Sequence, residues 1–447
     1  MTVFPFTKGA ALRFRDELPL ACDLVIVGGG VIGVSTAIFA ARKGLKVVIC
    51  EKGLVAGEQS SRNWGWIRQQ GRDLGELPIV MEANRHWRAF DQEIGGDRLG
   101  FRITGILKAA RTEAAMARYE RWLAQAKLFG VDSRMVSKSE MQSLTPGTAV
   151  DYAGGLITPS DGRAEPWVAV PVLAELARSL GVVIREHCAV RALDFSAGAV
   201  SGVETEAGRI ATSQVLVAAG AWSRLFLGQH GVKFPQLSVL SSVAATTPVP
   251  SLFPGGYSDG DYAFRTRADG GLTLAPGSEH DFFIGPNAFA SFFPYLQTLK
   301  QDFKSTHFGF FAPKGFPDAW ATNRRWTGES PFERMRILNP RPNLRTLERA
   351  KEALIRAFPA ARALQFRTTW AGMIDTMPDV VPIVDHVPGI GGVMLATGMA
   401  GHGFGIGPGF GRILADMATG GAAGHDMSRF RFGRFSDGSK IDMGAAL

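Results

Sequence analysis

The sequence predicts an α/β fold on three observations. Residues 23–51 read as an apolar strand, a glycine turn, a helix and a second apolar strand. That order returns in the segments 166–220 and 392–420. Between the returns, residues 77–150 carry helical patterns, and residues 234–365 show strand-like alternation with many aromatics and prolines. Alternating strands and helices favour a parallel sheet covered by helices, with a second domain inserted into it.

The opening stretch has the glycine spacing of a dinucleotide-binding unit. We expect Gly28 to make a tight turn, Gly30 to let the backbone approach a pyrophosphate, and Gly33 to let helix and strand pack closely. The free N–H groups at the helix start can hold phosphate. Glu51 follows the second strand and can accept hydrogen bonds from ribose hydroxyls. An ordinary βαβ unit with a glycine-rich turn is the alternative interpretation.

The charge balance excludes one class of partner. The 447 residues include 49 basic and 41 acidic ones, for a formal net charge of +8. The basic residues are spread along the chain without a run of five or six. We therefore expect a mildly basic surface and no nucleic-acid partner. Contact with an anionic membrane or an acidic substrate stays open.

The cysteines and the apolar segments indicate the cellular compartment of the protein. Cys22, Cys50 and Cys188 have no metal-ligand spacing, so we expect reduced structural thiols, no metal site and a cytoplasmic protein. The N-terminal segment reads as neither a secretory signal nor a membrane anchor. No apolar run reaches 18 residues, so any membrane contact would be peripheral, at the inner face of the membrane.

The returns of the strand–helix pattern predict a discontinuous cofactor domain with a substrate domain inserted in it. In numbers, the cofactor domain comprises 1–75, 150–233 and 366–447, and the substrate domain comprises 76–149 and 234–365. We expect the substrate domain to be α+β, on a mainly antiparallel sheet, and the substrate to bind between the two domains. A Phe-rich segment at about 281–330 could contact a membrane, pack inside the protein, or form an oligomer contact.

Four stretches carry a resemblance to a known family. They are VVICEKGLVAGEQSSR, VLVAAGAWSRLFL, GESPFERMR and WAGMIDTMPDVVPIV. With them the chain resembles the FAD-dependent D-amino-acid oxidase superfamily, which includes glycine and sarcosine oxidases. Within it, the chain is similar to the bacterial membrane-associated L-amino-acid deaminases. The resemblance implies a Rossmann-like FAD-binding domain of the GR2 type and oxidation of a carbon–nitrogen bond.

A flavin needs a second anchoring region, and the loop Gly398–Gly407 supplies a candidate. Pro408 is expected at the first turn of the helix that follows, whose N-terminus would stabilise negative charge on the reduced flavin. A plain glycine-rich turn is the alternative. No Cys or His stands where covalent attachment would need it, so we expect non-covalent FAD. The expected FAD-binding residues are Gly28, Gly30, Val31, Ile32, Gly33, Glu51, Lys52, Ser60, Ser61, Arg62, Val190, Ala219, Gly220, Trp222, Gly372, Gly401, His402, Gly403, Phe404 and Gly405.

Catalytic and substrate-binding candidates are fewer. His402 could act on the substrate or flavin, or be a packed histidine. Arg68 and Arg265 are candidates for holding a substrate carboxylate, since a guanidinium can do so bidentately. Trp66 and Trp370 could wall the site or belong to the core.

The sequence departs from the deaminases at one position that matters for the substrate. The arginine with which the deaminases hold the carboxylate falls near Gly277–Ser278, where this chain has none. Either another arginine takes over or the substrate has a different shape.

The resemblance implies an enzyme that oxidises an amino acid or related amine to an imine, which water hydrolyses to an oxo acid and ammonia. Electrons would pass to oxygen or to a quinone-linked acceptor. The sequence leaves open L or D substrates, primary or secondary (N-methyl) amines, and oligomeric state. Two alternatives are a non-catalytic FAD-holding subunit of a heteromeric oxidase and an NAD-dependent dehydrogenase.

Overall fold

A computed structural model describes residues 4–7, 9–320, 328–444 and 447. The predicted α/β fold is confirmed: short apolar runs such as Leu24–Val27 and Val47–Cys50 form buried strands, and longer amphipathic or apolar segments form helices. In chain order the strands are β1 (Leu24–Val27), β2 (Val47–Cys50), β3 (Trp66–Ile67), β4 (Arg102–Ile103), β5 (Ile106–Ala110), β6 (Arg134–Ser137), β7 (Gly154–Thr158), β8 (Gly162–Arg163), β9 (Val183–Arg185), β10 (Val190–Ser196), β11 (Ala199–Thr205), β12 (Gly208–Ala211), β13 (Val215–Val217), β14 (Leu237–Thr246), β15 (Gly256–Ser258), β16 (Tyr262–Thr266), β17 (Leu272–Pro276), β18 (His280–Ile284), β19 (Thr306–Phe310), β20 (Phe366–Thr376), β21 (Ile383–His386) and β22 (Val393–Thr397). The α-helices are α1 (Val31–Arg42), α2 (Gln59–Arg62), α3 (Leu77–Ile94), α4 (Glu113–Ala126), α5 (Lys138–Leu144), α6 (Pro166–Ser179), α7 (Ser223–Gly228), α8 (Pro286–Ala290), α9 (Leu296–Asp302), α10 (Pro331–Arg334), α11 (Leu344–Ala357) and α12 (Gly403–Ala418).

A six-stranded sheet carries the glycine loops. Its order is β21-β22-β13-β1-β2-β9, and all neighbours are parallel except β21 with β22. The two faces of β1 bury different sets of side chains. Leu24 and Ile26 join the core formed with the helices, whereas Val25 and Val27 join the core formed with β10–β12. Burial on both faces explains why these strands read as continuous apolar runs.

A ten-stranded sheet forms the second layer of the molecule. Its order is β19-β18-β14-β17-β16-β15-β5-β7-β6, with β20 paired to β14 off that path. Within the described residues its pairings are antiparallel except β15 with β5 and β18 with β19, as expected for the substrate domain.

The domain division drawn from the sequence stays a prediction, but two strands cross it. β7 and β20 belong to the ten-stranded sheet, although their residue numbers fall in the expected cofactor domain. Pairing with β14 from Leu237↔Thr376 to Thr246↔Phe366 decides the position of β20, and pairing with β5 and β6 decides that of β7. No local pattern in these strands reports such long-range partners.

Helix α12 packs along α1 at very short range. A Cβ on Gly411 would lie 2.5 Å from Cβ of Ser35, and one on Gly407 would lie 2.9 Å from Cγ2 of Val31. Helix α12 also contacts α3, and α1 contacts α6. The glycines in α12 therefore let the two helices that follow the two glycine loops lie side by side.

Replacing Gly411 by Ala should destabilise the protein by about 1–3 kcal/mol, because the added methyl overlaps the backbone of α1. Chemical unfolding in urea would measure the change as a lower midpoint with an unchanged slope. Gly433→Ala is a matched control, since a Cβ there would meet nothing nearer than 3.9 Å. Equal midpoints for the two variants would contradict the close α1–α12 packing.

Candidate active site

The first glycine loop forms a cradle without room for side chains. Gly28 has φ +114°, and a Cβ there would lie 2.5 Å from the carbonyl oxygen of Ala218. A Cβ on Gly33 would lie 2.2 Å from the carbonyl oxygen of Gly28. The N–H of Val31 donates to Oγ of Ser60 at 2.9 Å, which ties the start of α1 to the loop after β2. The N–H groups at the start of a helix lack partners within it, so this end of α1 can receive an anion.

Glu51 lies at the carboxyl end of β2, beside this cradle. Its Oε2 accepts from the N–H of Gly29 at 2.8 Å, and its Oε1 accepts from the N–H of Gly53 at 2.7 Å. Two backbone N–H groups therefore fix the carboxylate at the position where dinucleotide-binding folds have the acid that contacts ribose.

A narrow cavity of about 150 Å³ runs from the cradle towards α12. Most of the expected FAD contacts line it: Gly28, Gly30, Val31, Ile32, Glu51, Lys52, Ser60, Val190, Ala219, Gly220, Trp222, Gly401, Gly403 and Phe404. Gly33 and Ser61 are absent from its lining, because Gly33 packs on Gly28 and Ser61 is fully buried. Glu58, which no motif in the sequence singled out, also lines the cavity and accepts a hydrogen bond from Nε1 of Trp222 at 2.9 Å.

Arg62 is buried, and its guanidinium group connects separate segments of the chain by hydrogen bonds. Its Nη1 donates to Oδ1 of Asn339 at 2.7 Å and to the carbonyl oxygen of Ala371 at 2.8 Å. Its Nη2 donates to the carbonyl oxygen of Gly57 at 3.1 Å. Burial lowers the pKa of Arg62 to about 10. The guanidinium group thus links the loop after β2, at Gly57, to β20, at Ala371.

The second glycine loop turns at Ala400 and Gly401, both with positive φ, and leads into α12. The helix begins at Gly403, with His402 as its N-cap, so the prediction that places Pro408 in the first turn is wrong. Pro408 lies inside the helix, because Gly403, Gly405 and Gly407 before it adopt helical backbone, and Gly407 packs against Val31 of α1. The N-terminus of α12 therefore lies within the glycine loop itself.

A larger cavity of about 630 Å³ lies between the ten-stranded sheet and the start of α12. Arg62, Gly372, His402 and Gly405 line it, as do apolar side chains of β14 and β20, among them Leu237, Val239, Val243 and Ile374. Gln59, Asn63, Gly401 and Phe404 line both cavities, so the two adjoin at these residues. Oε1 of Gln59 is buried there and has no hydrogen-bond partner in the described structure.

Besides Arg62, two further arginines line the larger cavity, Arg68 and Arg72. Among the residues that the structure describes, neither guanidinium has a hydrogen bond or an ion pair, and Nη1 of Arg72 is buried without a partner. The guanidinium of Arg68 lies 5.5 Å from the ring centre of Trp66, which also lines the cavity. Burial is the main cause that lowers the pKa of both arginines. An anion entering here would meet two desolvated cations.

The other two candidate substrate contacts lie elsewhere. Arg265 is 1% exposed and lines neither cavity; its Nη1 and Nη2 donate to the carboxylate of Glu165 at 2.8 and 3.0 Å. Although burial raises the pKa of Glu165, Arg265 and its neighbours lower it to about 2. Trp370 is 2% exposed, donates to the carbonyl oxygen of Arg62 at 3.0 Å and stacks on Phe4. Both side chains belong to the core beneath the site.

At Gly277, one of the two positions where the deaminases have their arginine, the structure has no room for a side chain. A Cβ at this position would lie 1.8 Å from the carbonyl oxygen of Gly260, so no side chain fits. Gly277 and Ser278 nevertheless line the larger cavity. The two guanidinium groups that line the cavity without a partner in the described structure, Arg68 and Arg72, come from the loop after β3 instead. A signal for Arg72 was present in the sequence, four residues after Arg68.

Comparisons with known proteins place the chain in a family. The family model described as "DAO: FAD dependent oxidoreductase" matches residues 23–417. Among solved structures, the chain is similar to the L-amino acid deaminase from Proteus myxofaciens in complex with anthranilate. The two are 30% identical, with a TM-score of 0.89 over 96% of this chain and 97% of that one.

Curated relatives agree. The chain is 25% identical to the 4-methylaminobutanoate oxidase (formaldehyde-forming) of Paenarthrobacter nicotinovorans, over 94% of this chain and 46% of that protein. It therefore spans about half the length of that relative. It is 24% identical to sarcosine oxidase subunit beta of Rhizobium meliloti (strain 1021), over 94% of this chain and 90% of that protein. The resemblance drawn from the motifs is confirmed, and the chain belongs to the DAO family of FAD-dependent oxidoreductases.

Proposed function

We propose that this chain oxidises the carbon–nitrogen bond of an amino acid to an imine, which water hydrolyses to an oxo acid and ammonia. The observation that carries the proposal is the pair Arg68 and Arg72. Both line a largely apolar cavity that adjoins the dinucleotide cavity, and neither has a partner in the described structure. A substrate carboxylate would supply that partner, and bidentate binding would orient the molecule.

The residues present fit FAD. The cradle at Gly28 and Gly33 excludes side chains, so a pyrophosphate could approach the start of α1 closely. Glu51 would hold the adenosine ribose, and the start of α12 would hold the ring system. Oε1 of Gln59, buried and unpartnered where the cavities adjoin, can accept a hydrogen bond from the ligand. Bound FAD supplies the hydride acceptor. We propose that FAD is bound without a covalent bond to the chain.

The apolar wall of the larger cavity favours a substrate with a bulky apolar side chain. Leu237, Val239 and Val243 alternate along one face of β14, and Ile374 of the neighbouring β20 adds to the same face. The cavity volume lies in the range of sites that enclose most of a small ligand. This wall would exclude water from the reacting carbon and leave Arg68 and Arg72 to hold the polar end.

The Phe-rich segment supports a peripheral membrane contact. The protein would then lie in the cytoplasm, at the inner face of the membrane. Exposed phenylalanines and lysines stand together between 289 and 311. They are Phe289, Phe293, Phe303, Phe310 and Phe311, each 62–82% exposed, with Lys300 and Lys304. Aromatic side chains beside lysines suit the interface of an anionic bilayer. In the described residues, no helix is both long and apolar enough to cross a membrane.

The electron acceptor would then be a quinone dissolved in that membrane. The same segment contributes Phe289, Phe292 and Leu299 to the lining of the larger cavity, so it would touch both the site and the proposed bilayer. Oxygen is the other acceptor left open by the sequence. Turnover measured with oxygen alone and with a quinone analogue under argon distinguishes them.

A second candidate function is that of an FAD-holding subunit in a heteromeric oxidase. The similarity to sarcosine oxidase subunit beta favours it, because that relative is itself a subunit. Anaerobic mixing of the FAD-loaded chain with L-, D- and N-methyl amino acids decides between the two functions. Loss of the yellow flavin absorbance with one substrate supports an enzyme, and its persistence with all of them supports the subunit.

Arg68→Gln should lower kcat/KM for the best amino acid about 10- to 100-fold, mainly through KM, because a charged hydrogen bond to the carboxylate is lost. Arg85→Gln on the exposed face of α3 is the matched control and should leave both constants unchanged. Steady-state kinetics measure the effect. An Arg68→Gln enzyme with wild-type KM would place the carboxylate elsewhere.

FAD affinity should rise with pH between about 6 and 8. Burial is the main cause that raises the pKa of Glu51 to about 7, so the carboxylate that accepts from ribose hydroxyls forms only as pH rises through that value. Glu51→Gln should weaken FAD binding by about 1–3 kcal/mol and abolish the pH dependence. Fluorescence titration of the apoprotein measures both. Identical pH profiles in wild type and variant would contradict the assignment.

Phe310→Ser combined with Phe311→Ser should reduce binding to anionic vesicles severalfold, because two exposed aromatic side chains no longer insert. Cosedimentation with phosphatidylglycerol vesicles measures it, and Leu128→Ser, at a position 86% exposed in another region, is the control. If the double variant sediments like wild type, or if it changes oligomeric state instead, the segment is not a membrane contact.

A further inference from the structure

Glu76 lies directly behind His402. It precedes α3 as its N-cap residue and is 1% exposed. Its Oε2 lies 3.7 Å from Nδ1 of His402, too far for a hydrogen bond. In the described structure Oε1 of Glu76 and Nδ1 of His402 are both buried without a hydrogen-bond partner. Two facing buried groups that leave their polar atoms unsatisfied cost free energy, which points to a use for them.

The surroundings keep His402 neutral before substrate binds. Burial lowers the pKa of His402 well below its ordinary value, and Arg72 and Arg68 lower it further. His402 is also the N-cap residue of α12, where the helix dipole opposes a positive charge. Burial raises the pKa of Glu76 to about 7 against the opposing effect of nearby arginines. The charged groups that face the pair are Arg68, Arg72, Asp73, Asp379 and Arg429.

We propose that Glu76 is a positioning residue that balances the charge of His402 while His402 takes the proton from the ammonium group of the substrate. This inference rests on the proposed function, since it needs an amino acid held at Arg68 and Arg72. His402 lines the same cavity as these arginines, whereas Glu76 does not and acts through His402.

The proton step balances without a further reagent. An amino acid reaches the site with an ammonium group, and its oxidation needs the neutral amine. One N–H bond of the ammonium breaks, the electron pair stays on that nitrogen, and an N–H bond forms on the imidazole of His402. The carboxylate of Glu76 compensates the resulting imidazolium. The His402 side chain is 21% exposed, so the proton then exchanges with solvent.

Binding of the substrate carboxylate would itself make His402 a stronger base. Arg68 lowers the pKa of both His402 and Glu76. A carboxylate bound to Arg68 cancels much of that effect, so the pKa of each member of the pair rises on binding. An anion with no amino group should therefore draw a fraction of a proton from solvent as it binds. The effect couples carboxylate binding to base strength without any movement of the chain.

Benzoate, which has a carboxylate and no amino group, is the probe for the test. The FAD-loaded protein is titrated with benzoate by calorimetry between pH 6 and 8, in phosphate and in Tris, whose ionisation heats differ. We expect wild type to take up a fraction of a proton per benzoate and to bind it more tightly as pH falls. Glu76→Gln should lose most of that uptake. Glu93→Gln on the exposed part of α3 is the control and should keep it.

Catalysis gives a second readout. Glu76→Gln should lower kcat/KM at pH 7 about 10- to 100-fold while the Kd of benzoate stays near that of wild type, because the base is weakened and the carboxylate site is not. The acid limb of the pH profile should move to lower pH, and Glu76→Asp should recover part of the rate. A merely structural residue would shift neither the limb nor the proton uptake.

The outcomes separate this inference from the proposed function. If benzoate binds wild type with no proton uptake and with a pH-independent Kd, the inference is overturned and the carboxylate site stands; this result needs no variant to fold. Unchanged uptake in Glu76→Gln, with His402→Asn also unchanged, overturns it as well. If benzoate does not bind wild type at all, the carboxylate site at Arg68 and Arg72 fails, and the inference fails with it.

Discussion

The close packing of α1 on α12 is the constraint on which the site depends. Gly411 lies against the backbone of α1 at Ser35, and Gly407 lies against Val31 in the first turn of the same helix. Each of these helices begins at a glycine loop, one near the start of the chain and one near its end. Because the helices lie side by side, both N-termini open on adjoining cavities, and their unpaired N–H groups can act on one ligand.

The charge of the larger cavity is a second consequence of the fold. Arg72 is buried and Arg68 is half-buried, and neither guanidinium has a carboxylate in contact in the described structure. Burial raises the pKa of both Glu76 and Asp161 to about 7. Burying a cation without a partner costs free energy. The unpaired guanidinium groups therefore favour binding of an anion over water. The same field weakens His402 as a base until that anion arrives.

Residue type alone could not show which arginine lies in the cavity and which is paired in the core. Arg265 and Arg68 look alike in the sequence, yet Glu165 neutralises Arg265 inside the core, and no carboxylate contacts Arg68 in the described structure. Trp66 and Trp370 differ in the same way: one lines the cavity and the other donates to a backbone carbonyl in the core. What separates the members of each pair is the identity of their neighbours, and those neighbours are distant in sequence.

Local sequence patterns were sufficient to find the glycine loop before α1, the acid after β2, the glycine loop before α12 and the family. These depend on turns, helix starts and spacings within about 30 residues, where local backbone geometry decides. Four features became visible only in the folded chain: which arginines line the cavity, the lack of room for a side chain at Gly277, the pairing of β7 and β20 with the ten-stranded sheet, and the position of Glu76 behind His402. Those outcomes rest on strand register and helix packing between segments far apart in the chain, which no local pattern encodes.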